Sequence, residues 1–136
     1  MDEIKLTCII DDDPIYLFAI KKLLEITNFS TNYIIFKNGL EAINEFKKLA
    51  EEDQPLPDVV LLDLNMPIMD GWQFLKQYKI NKFNTGISIY ITSSSIDKKD
   101  VSKAKKNKLV SGYISKPIKK EDLSTLKTSI LKKKSS

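Results

Sequence analysis

Four groups of polar residues in this sequence each follow an apolar run. Together they are of types that could do chemistry. They are an acid triplet at residues 11–13, the single acid Asp63, the hydroxyl residue Thr92, and Lys116, which precedes a proline. Carboxylates that lie close together repel one another, and their pKa values rise unless a cation lies between them. Because the candidate ligands are all oxygens, they favour Mg²⁺ or Mn²⁺ over zinc or copper.

This set of groups suits phosphoryl transfer. Asp63 would attack phosphorus as a carboxylate nucleophile. A divalent cation would neutralise the growing charge, while Thr92 and Lys116 would hold the remaining phosphoryl oxygens. Taken singly, the signals have ordinary explanations, because acids and hydroxyl residues often cap helices and one lysine means little among 22. Their joint placement is what predicts a site.

That placement depends on the predicted secondary structure. Strand-like apolar runs occupy residues 4–10, 32–36, 58–62, 87–92 and 113–115. Helices are predicted after Pro14 and Gly39 and over 72–79, 97–108 and 120–131. In the first helix the recurring apolar residues are Ile15, Phe18, Ala19, Leu23 and Ile26. This alternation predicts an α/β fold whose parallel sheet is covered on both faces and binds ligands beyond the carboxyl ends of its strands.

Length and composition predict one domain over residues 1–136, with a core at 4–131 and a flexible basic tail at 132–136. Apolar runs are too short to cross a membrane, and the lone Cys8 suits a reducing cytosol, which predicts a cytoplasmic location. The sequence has no histidine, which excludes Ser-His-Asp and Cys-His catalysis, histidine-ligated zinc and a histidine phosphocarrier. It also has no arginine, so bidentate arginine clamps on phosphate or guanine are excluded.

The charge is divided unevenly along the chain. Residues 97–136 hold 13 lysines and 4 acids, a net charge of +9, whereas residues 1–96 hold 9 lysines and 14 acids, a net charge of −5. The basic third could face an acidic partner or nucleic acid, or it could be a solvated surface. Charge alone does not decide between these alternatives.

Four motifs in this sequence resemble the receiver domain of two-component response regulators. They are IIDDDP, LLDLNMPIMDG, YITSS and GYISKP, in the order and approximate spacing of that family, and the resemblance covers residues 4–131. It implies a flavodoxin-like (βα)5 three-layer sandwich with strand order 2-1-3-4-5. It also implies a phosphoprotein of the two-component system that receives its phosphoryl group from a sensor histidine kinase or a phosphotransfer protein.

The same resemblance assigns roles to individual residues. Asp63 would be the phosphoacceptor, and it would bind Mg²⁺ or Mn²⁺ together with Asp11, Asp12 and the backbone carbonyl of Asn65. Thr92 and Lys116 would bind the phosphoryl group, and a cis peptide would join Lys116 to Pro117. Tyr113 would be an aromatic switch that responds to Thr92. The fourth helix, fifth strand and fifth helix would dock a downstream protein.

Two other classes of protein share parts of this pattern. Flavin-binding proteins need an anion-binding nest after the first strand, where three aspartates would repel a phosphate. Aspartate-nucleophile phosphatases of the haloacid dehalogenase type use Asp-x-Asp, whereas Asp63 is followed by leucine and Asn65, which cannot relay a proton. A switch is therefore favoured over a turnover enzyme. A receiver whose lysine-rich third binds nucleic acid remains the alternative output.

Overall fold

The computed structural model describes residues 3–83, 86–94 and 97–135, and within these ranges strands and helices alternate without exception. The strands are β1 Leu6–Ile10, β2 Asn32–Phe36, β3 Val59–Asp63, β4 Ser88–Ser93 and β5 Val110–Ser115. The helices are α1 Pro14–Thr27, α2 Gly39–Glu51, α3 Gly71–Ile80, α4 Lys98–Lys106 and α5 Lys120–Ser135. In the described part of the chain the predicted five βα units are confirmed.

The strands form one parallel sheet in the order β2-β1-β3-β4-β5, which confirms the flavodoxin-like topology. The register brings the carboxyl ends of the central strands level with one another. Ile10 pairs with Leu62, and Asp63, the next residue of β3, pairs with Thr92 of β4. Residues that follow these positions therefore meet at one edge of the sheet.

Helices cover both faces of this sheet, and a hydrophobic cluster lies on each side. One cluster joins the sheet to α2, α3 and α4, and the other joins it to α1 and α5. The three central strands are buried, and β3 is buried at every residue. Runs of apolar residues without polar alternation are expected for strands buried on both faces. The sheet therefore holds its polar strand ends on a rigid support.

Helix α1 presents a different face to the sheet than its predicted apolar stripe. Ile15, Phe18 and Ile26 are 81%, 67% and 67% exposed. The buried residues of α1 are Tyr16, Leu17, Ile20 and Leu24. Both sets have helical spacing, and the second packs on the sheet, in the hydrophobic cluster that α1 shares with α5. An apolar stripe therefore remains on the surface.

Helix α5 is longer than predicted. Its buried residues Leu123, Leu126 and Ile130 agree with the predicted stripe, but the helix continues to Ser135 instead of ending at residue 131.

No helix within the described ranges is long and apolar enough to cross a bilayer.

Candidate functional site

The candidate site lies at the carboxyl edge of the sheet, where four neighbouring strands each contribute one side chain. Asp11 directly follows β1, Asp63 ends β3, Thr92 lies in β4, and Lys116 directly follows β5. The backbone N–H of Asp11 donates to the carbonyl of Phe36 (2.9 Å), so the first of these residues is also tied to β2. The strand order therefore brings together side chains that are far apart in sequence.

Three carboxylates meet in this pocket. Asp11, Asp12 and Asp63 each offer an oxygen within 4.8 Å of the others. Asp11 is completely buried and Asp63 is 7% exposed, whereas Asp12 is exposed to solvent. Asp13 lies apart, because its carboxylate accepts the N–H of Ile15 (3.0 Å) and caps α1. The acid triplet thus divides into two site acids and one helix cap.

The ammonium group of Lys116 lies close to both buried acids. Lys116 Nζ lies 2.6 Å from Asp11 Oδ2 and 3.5 Å from Asp63 Oδ1. The same ammonium lies 4.2 Å from the ring centroid of Tyr16, a cation–π contact. The peptide bond between Lys116 and Pro117 is cis. The positive charge of the site is therefore held between two carboxylates and an aromatic ring.

Burial perturbs the acids of the pocket. Burial, and after it the charge of Asp11, raises the pKa of Asp63 from its ordinary 3.8 to about 6, while Lys116 and the backbone N–H of Asn65 oppose the rise. Burial also raises the pKa of Asp11, against the hydrogen bonds from Lys116 and from the backbone N–H of Asp13. The single ammonium does not compensate fully for the burial of two carboxylates. The pocket therefore favours added positive charge.

Two buried hydroxyl groups border the pocket. Thr92 is completely buried and Tyr16 is 8% exposed, and neither hydroxyl has a hydrogen-bond partner among the described residues. A buried polar group without a partner costs free energy. Thr92 was predicted to be in the site, whereas Tyr16 was missed. The signal that could have identified it is the second helical stripe of α1, because a residue near the start of that stripe lies beside the strand ends.

The segment after Asp63 is a tightly tied loop. The N–H of Gly71 donates to the carbonyl of Leu64 (3.0 Å), and the N–H of Gly39, the first residue of α2, donates to the carbonyl of Met69 (3.0 Å). Ile68 within the loop has a φ of 67°, which is rare for a β-branched residue, and the N–H of Met69 reaches back to the carbonyl of Pro67 (2.7 Å). The loop thus holds a strained three-residue turn.

Two further predicted residues occupy different positions around the pocket. Asn65 is exposed and lies two residues beyond Asp63. Tyr113 is half-buried in β5, opposite Ile91 of β4, and lines a groove of about 540 Å³ between β5 and α4. Tyr113 is therefore adjacent to the strand of Thr92 and faces the fourth helix.

The donors of the pocket fit a small, hard cation. Three carboxylates offer oxygens within 4.8 Å of one another, one of them is exposed, and the buried pair has a deficit of positive charge. Mg²⁺ and Mn²⁺ prefer oxygen ligands, and Mg²⁺ commonly keeps several waters while binding one or two carboxylates. Asp12 is the acid that such a hydrated ion would reach from solvent.

The fold and the pocket together define a doubly wound α/β protein with an acidic pocket, an ammonium and a buried hydroxyl at the carboxyl edge of its sheet. The chain belongs to the response regulator receiver domain family, whose model matches residues 7–127. It is similar to the crystal structure of a two-component response regulator from Cytophaga hutchinsonii. The TM-score is 0.87 at 28% identity, over 96% of this chain and 98% of that one.

Response regulator Rcp1 of Synechocystis sp. is another relative, 28% identical over 98 residues that cover 71% of this chain and 67% of Rcp1. The crystal structure of the Mn²⁺-bound form of Rcp1 has a TM-score of 0.71 at 26% identity, over 93% of this chain and 91% of that one. The probable methanogenesis regulatory protein FilR2 of Methanothrix harundinacea is 27% identical over 115 residues, 85% of this chain and 74% of FilR2.

Proposed function

We propose that this chain is a phosphorylation-dependent signalling switch in which Asp63 accepts the phosphoryl group. The observation that carries the proposal is the convergence of unlike groups on neighbouring strand ends. A buried carboxylate has an ammonium 3.5 Å away and lies on the strand next to that of Thr92, whose hydroxyl is buried without a partner. The ammonium and the hydroxyl are groups that could bind the oxygens of a phosphoryl group on Asp63.

In the proposed reaction a carboxylate oxygen of Asp63 attacks the phosphorus of a phosphohistidine on a sensor histidine kinase or a phosphotransfer protein. An O–P bond forms and the N–P bond breaks, and the electron pair of that bond stays on the imidazole nitrogen, which takes up a proton from solvent. Because the pKa of Asp63 is about 6, the nucleophile is mainly ionised at neutral pH. Lys116 and Thr92 then hold phosphoryl oxygens.

The proposed cofactor is Mg²⁺ or Mn²⁺, held by Asp11, Asp12, Asp63 and the backbone carbonyl of Asn65. When bound, the ion supplies the positive charge that the carboxylates and the phosphoryl group need to lie close together. The clustering of the three carboxylate oxygens supports this ligand set.

The chemistry of Asn65 favours a switch over a turnover enzyme. A phosphatase that uses an aspartate nucleophile needs a second acid to relay protons, and an amide at this position cannot do so. We therefore expect the acyl phosphate on Asp63 to outlast the encounter with its donor, and this persistence is what a signal requires.

The exposed apolar stripe of α1 supports a docking place for the phosphodonor protein. Ile15 and Phe18 are exposed on the helix that borders the pocket, and a groove of about 320 Å³ runs from Ile15 and Ala19 to Lys116 and Pro117. A large exposed apolar patch next to a reactive group is typical of an interaction surface. A donor seated here would lie beside Lys116, which contacts Asp63.

For the output we propose the face formed by α4, β5 and α5, which would bind an unidentified downstream protein. Movement of Thr92 toward a phosphoryl group would shift a pre-existing equilibrium of Tyr113, which lines the groove beside α4. The variant Thr92→Ala should still accept phosphate but transmit the signal poorly. Normal partner binding by phosphorylated Thr92→Ala would contradict this coupling.

A specific observation favours an anionic partner as a second candidate for the output. Lys79, Lys82, Lys108 and Lys133 line one groove of about 420 Å³ near the amino-terminal edge of β4 and β5, and no acid is among its lining residues within the described ranges. Nucleic acid bound through such lysines would dissociate steeply with rising salt. The absence of arginine and of any base-reading motif favours protein docking instead.

The proposal is tested by phosphorylation with a small phosphodonor in the presence of Mg²⁺. Intact mass should show one added phosphate on the parent chain and none on Asp63→Asn. Asp13→Asn is the matched control, because asparagine caps a helix as well as aspartate does and Asp13 lies outside the acid cluster. If Asp63→Asn gains the same mass as the parent, Asp63 is not the acceptor.

A further inference from the structure

The hydroxyl of Tyr16 has no role in the function proposed above, yet its position is unusual. Tyr16 lies in the first turn of α1 and is 8% exposed, and its hydroxyl is buried without a hydrogen-bond partner. Within the described part of the chain, Thr92 is the other residue whose buried side-chain oxygen lacks a partner. The two unpartnered hydroxyls therefore occur together, at the same site.

Several contacts place Tyr16 in this pocket. The ammonium nitrogen of Lys116 lies 4.2 Å from the centroid of its ring, and the same ammonium contacts Asp63. Burial raises the pKa of Tyr16, and the charges of Asp11 and Asp63 add to this rise. The hydroxyl of Thr92 opposes the rise from hydrogen-bonding range, although the two hydroxyls do not meet the distances and angles of a hydrogen bond. The phenol is thus close enough to Thr92 and to the phosphoacceptor to interact with both.

An unpaired buried donor is costly, and native proteins seldom keep one without a reason. A phosphoryl group on Asp63 would bring three acceptor oxygens into the space that Lys116 and Thr92 border. A phenol hydroxyl can donate one hydrogen bond, and a bond to a charged oxygen is stronger than one between neutral groups. The group that Tyr16 lacks is therefore the group that phosphorylation would supply.

We propose that Tyr16 is a phosphoryl-binding residue whose hydroxyl donates a hydrogen bond to the phosphoryl group on Asp63, beside Thr92 and Lys116. This inference rests on the proposed function, since it needs a phosphoryl group on Asp63. It assigns α1 a direct part in recognising the phosphorylated state. It also predicts that removing the hydroxyl of Tyr16 destabilises the phosphorylated protein but does not destabilise the unphosphorylated protein.

The test uses the full chain, Mg²⁺ and beryllium fluoride, which binds aspartate as a stand-in for a phosphoryl group. Binding is followed by the fluorescence of Trp72, the only tryptophan of the sequence, which lies at the start of α3. Tyr16→Phe should bind beryllium fluoride about tenfold more weakly than the parent, as expected for the loss of one hydrogen bond to a charged group. Its free energy of unfolding without ligand should be equal to that of the parent or higher, because the variant no longer buries an unpaired donor.

Tyr90→Phe is the matched control. Tyr90 is also 8% exposed and packs in the same hydrophobic cluster as Tyr16, but its ring lies against Gly112 of β5. We expect it to bind beryllium fluoride as the parent does. A tenfold loss in both variants would mean that the effect is a general one of tyrosine removal, and this would overturn the inference.

The remaining outcomes separate this inference from the proposed function. If the parent binds beryllium fluoride and Tyr16→Phe binds it equally well, only the role of Tyr16 falls. If Tyr16→Phe loses stability without ligand as much as it loses affinity, its hydroxyl is structural, and the inference is again overturned. If the parent neither binds beryllium fluoride nor gains phosphate on Asp63, the proposed function fails and the role of Tyr16 fails with it.

Discussion

Replacing Asp63, the proposed phosphoacceptor, with asparagine should stabilise the metal-free protein. Asp63→Asn keeps the shape of the side chain and removes a charge that is buried next to Asp11. Because the raised pKa of Asp63 means that the folded chain prefers its neutral form, a neutral amide should be preferred at neutral pH as well.

The magnitude follows from the pKa of Asp63. The difference between the ordinary 3.8 and about 6, at 1.36 kcal/mol for each pH unit, is about 3 kcal/mol. For a chain of 136 residues this corresponds to on the order of 10 °C in Tm. This figure already includes the contact of Asp63 with Lys116 at 3.5 Å, because that contact opposes the rise of the pKa.

The dependence on pH tests the sign of this stability difference. An unfolded aspartate titrates near pH 3.9, and Asp63 in the folded chain titrates at about 6. Between these values the folded chain binds more protons than the unfolded one, so the stability of the parent falls as the pH rises. The advantage of Asp63→Asn should therefore be near zero below pH 4, grow between pH 4 and 6, and stay constant above that range.

Urea unfolding of both chains from pH 4 to pH 7.5, in EDTA, measures this difference. Asp12→Asn is the control, because Asp12 belongs to the same acid cluster but is exposed, so its change should be within about 0.5 kcal/mol at every pH. A difference between Asp63→Asn and the parent that does not change with pH, or a less stable variant at pH 7, would refute the reasoning.

Three further predictions concern backbone and surface. Gly71→Ala should cost about 1–3 kcal/mol and lower phosphate uptake, because its new methyl would lie 2.5 Å from the carbonyl oxygen of Asp63; Gly86→Ala, whose methyl meets nothing within 4 Å, should change neither the urea midpoint nor the mass gain. Ile68→Gly should raise the unfolding free energy by roughly 0.5–1 kcal/mol, because glycine accepts a φ of 67° and the isoleucine is 75% exposed; a loss of stability would contradict the strain. Phe18→Ser should slow phosphorylation by a phosphohistidine protein but not by a small phosphodonor, and equal slowing by both donors would argue against docking on α1.

The sequence was sufficient to predict the polar strand ends because β3 and β4 are buried on both faces. Their apolar runs end abruptly at Asp63 and Thr92, and a parallel sheet has to bring such ends to one edge. The strand order was implied by the resemblance to the receiver family, and the sheet confirms it.

Helix α1 was harder to read because two apolar stripes compete on it. Phe18 and Tyr16 both have the spacing of a buried face, and periodicity alone does not say which stripe meets the sheet. Tertiary packing decides this, and it also moved Tyr16 into the pocket. A residue that enters a site through the choice of helix face leaves no motif in the sequence.

The loop after Asp63 ends in a hydrogen bond to the first residue of α2, and it holds Ile68 in a tight, unfavourable turn. A loosely held loop would absorb a displacement of the end of β3. A short segment that is hydrogen-bonded at both ends transmits such a displacement instead. We therefore expect a movement of Asp63 to be transmitted also to α2. This helix packs on the opposite face of the sheet from α1. The proposed phosphoacceptor is thus connected to α2 as well as to the neighbouring strand that carries Thr92.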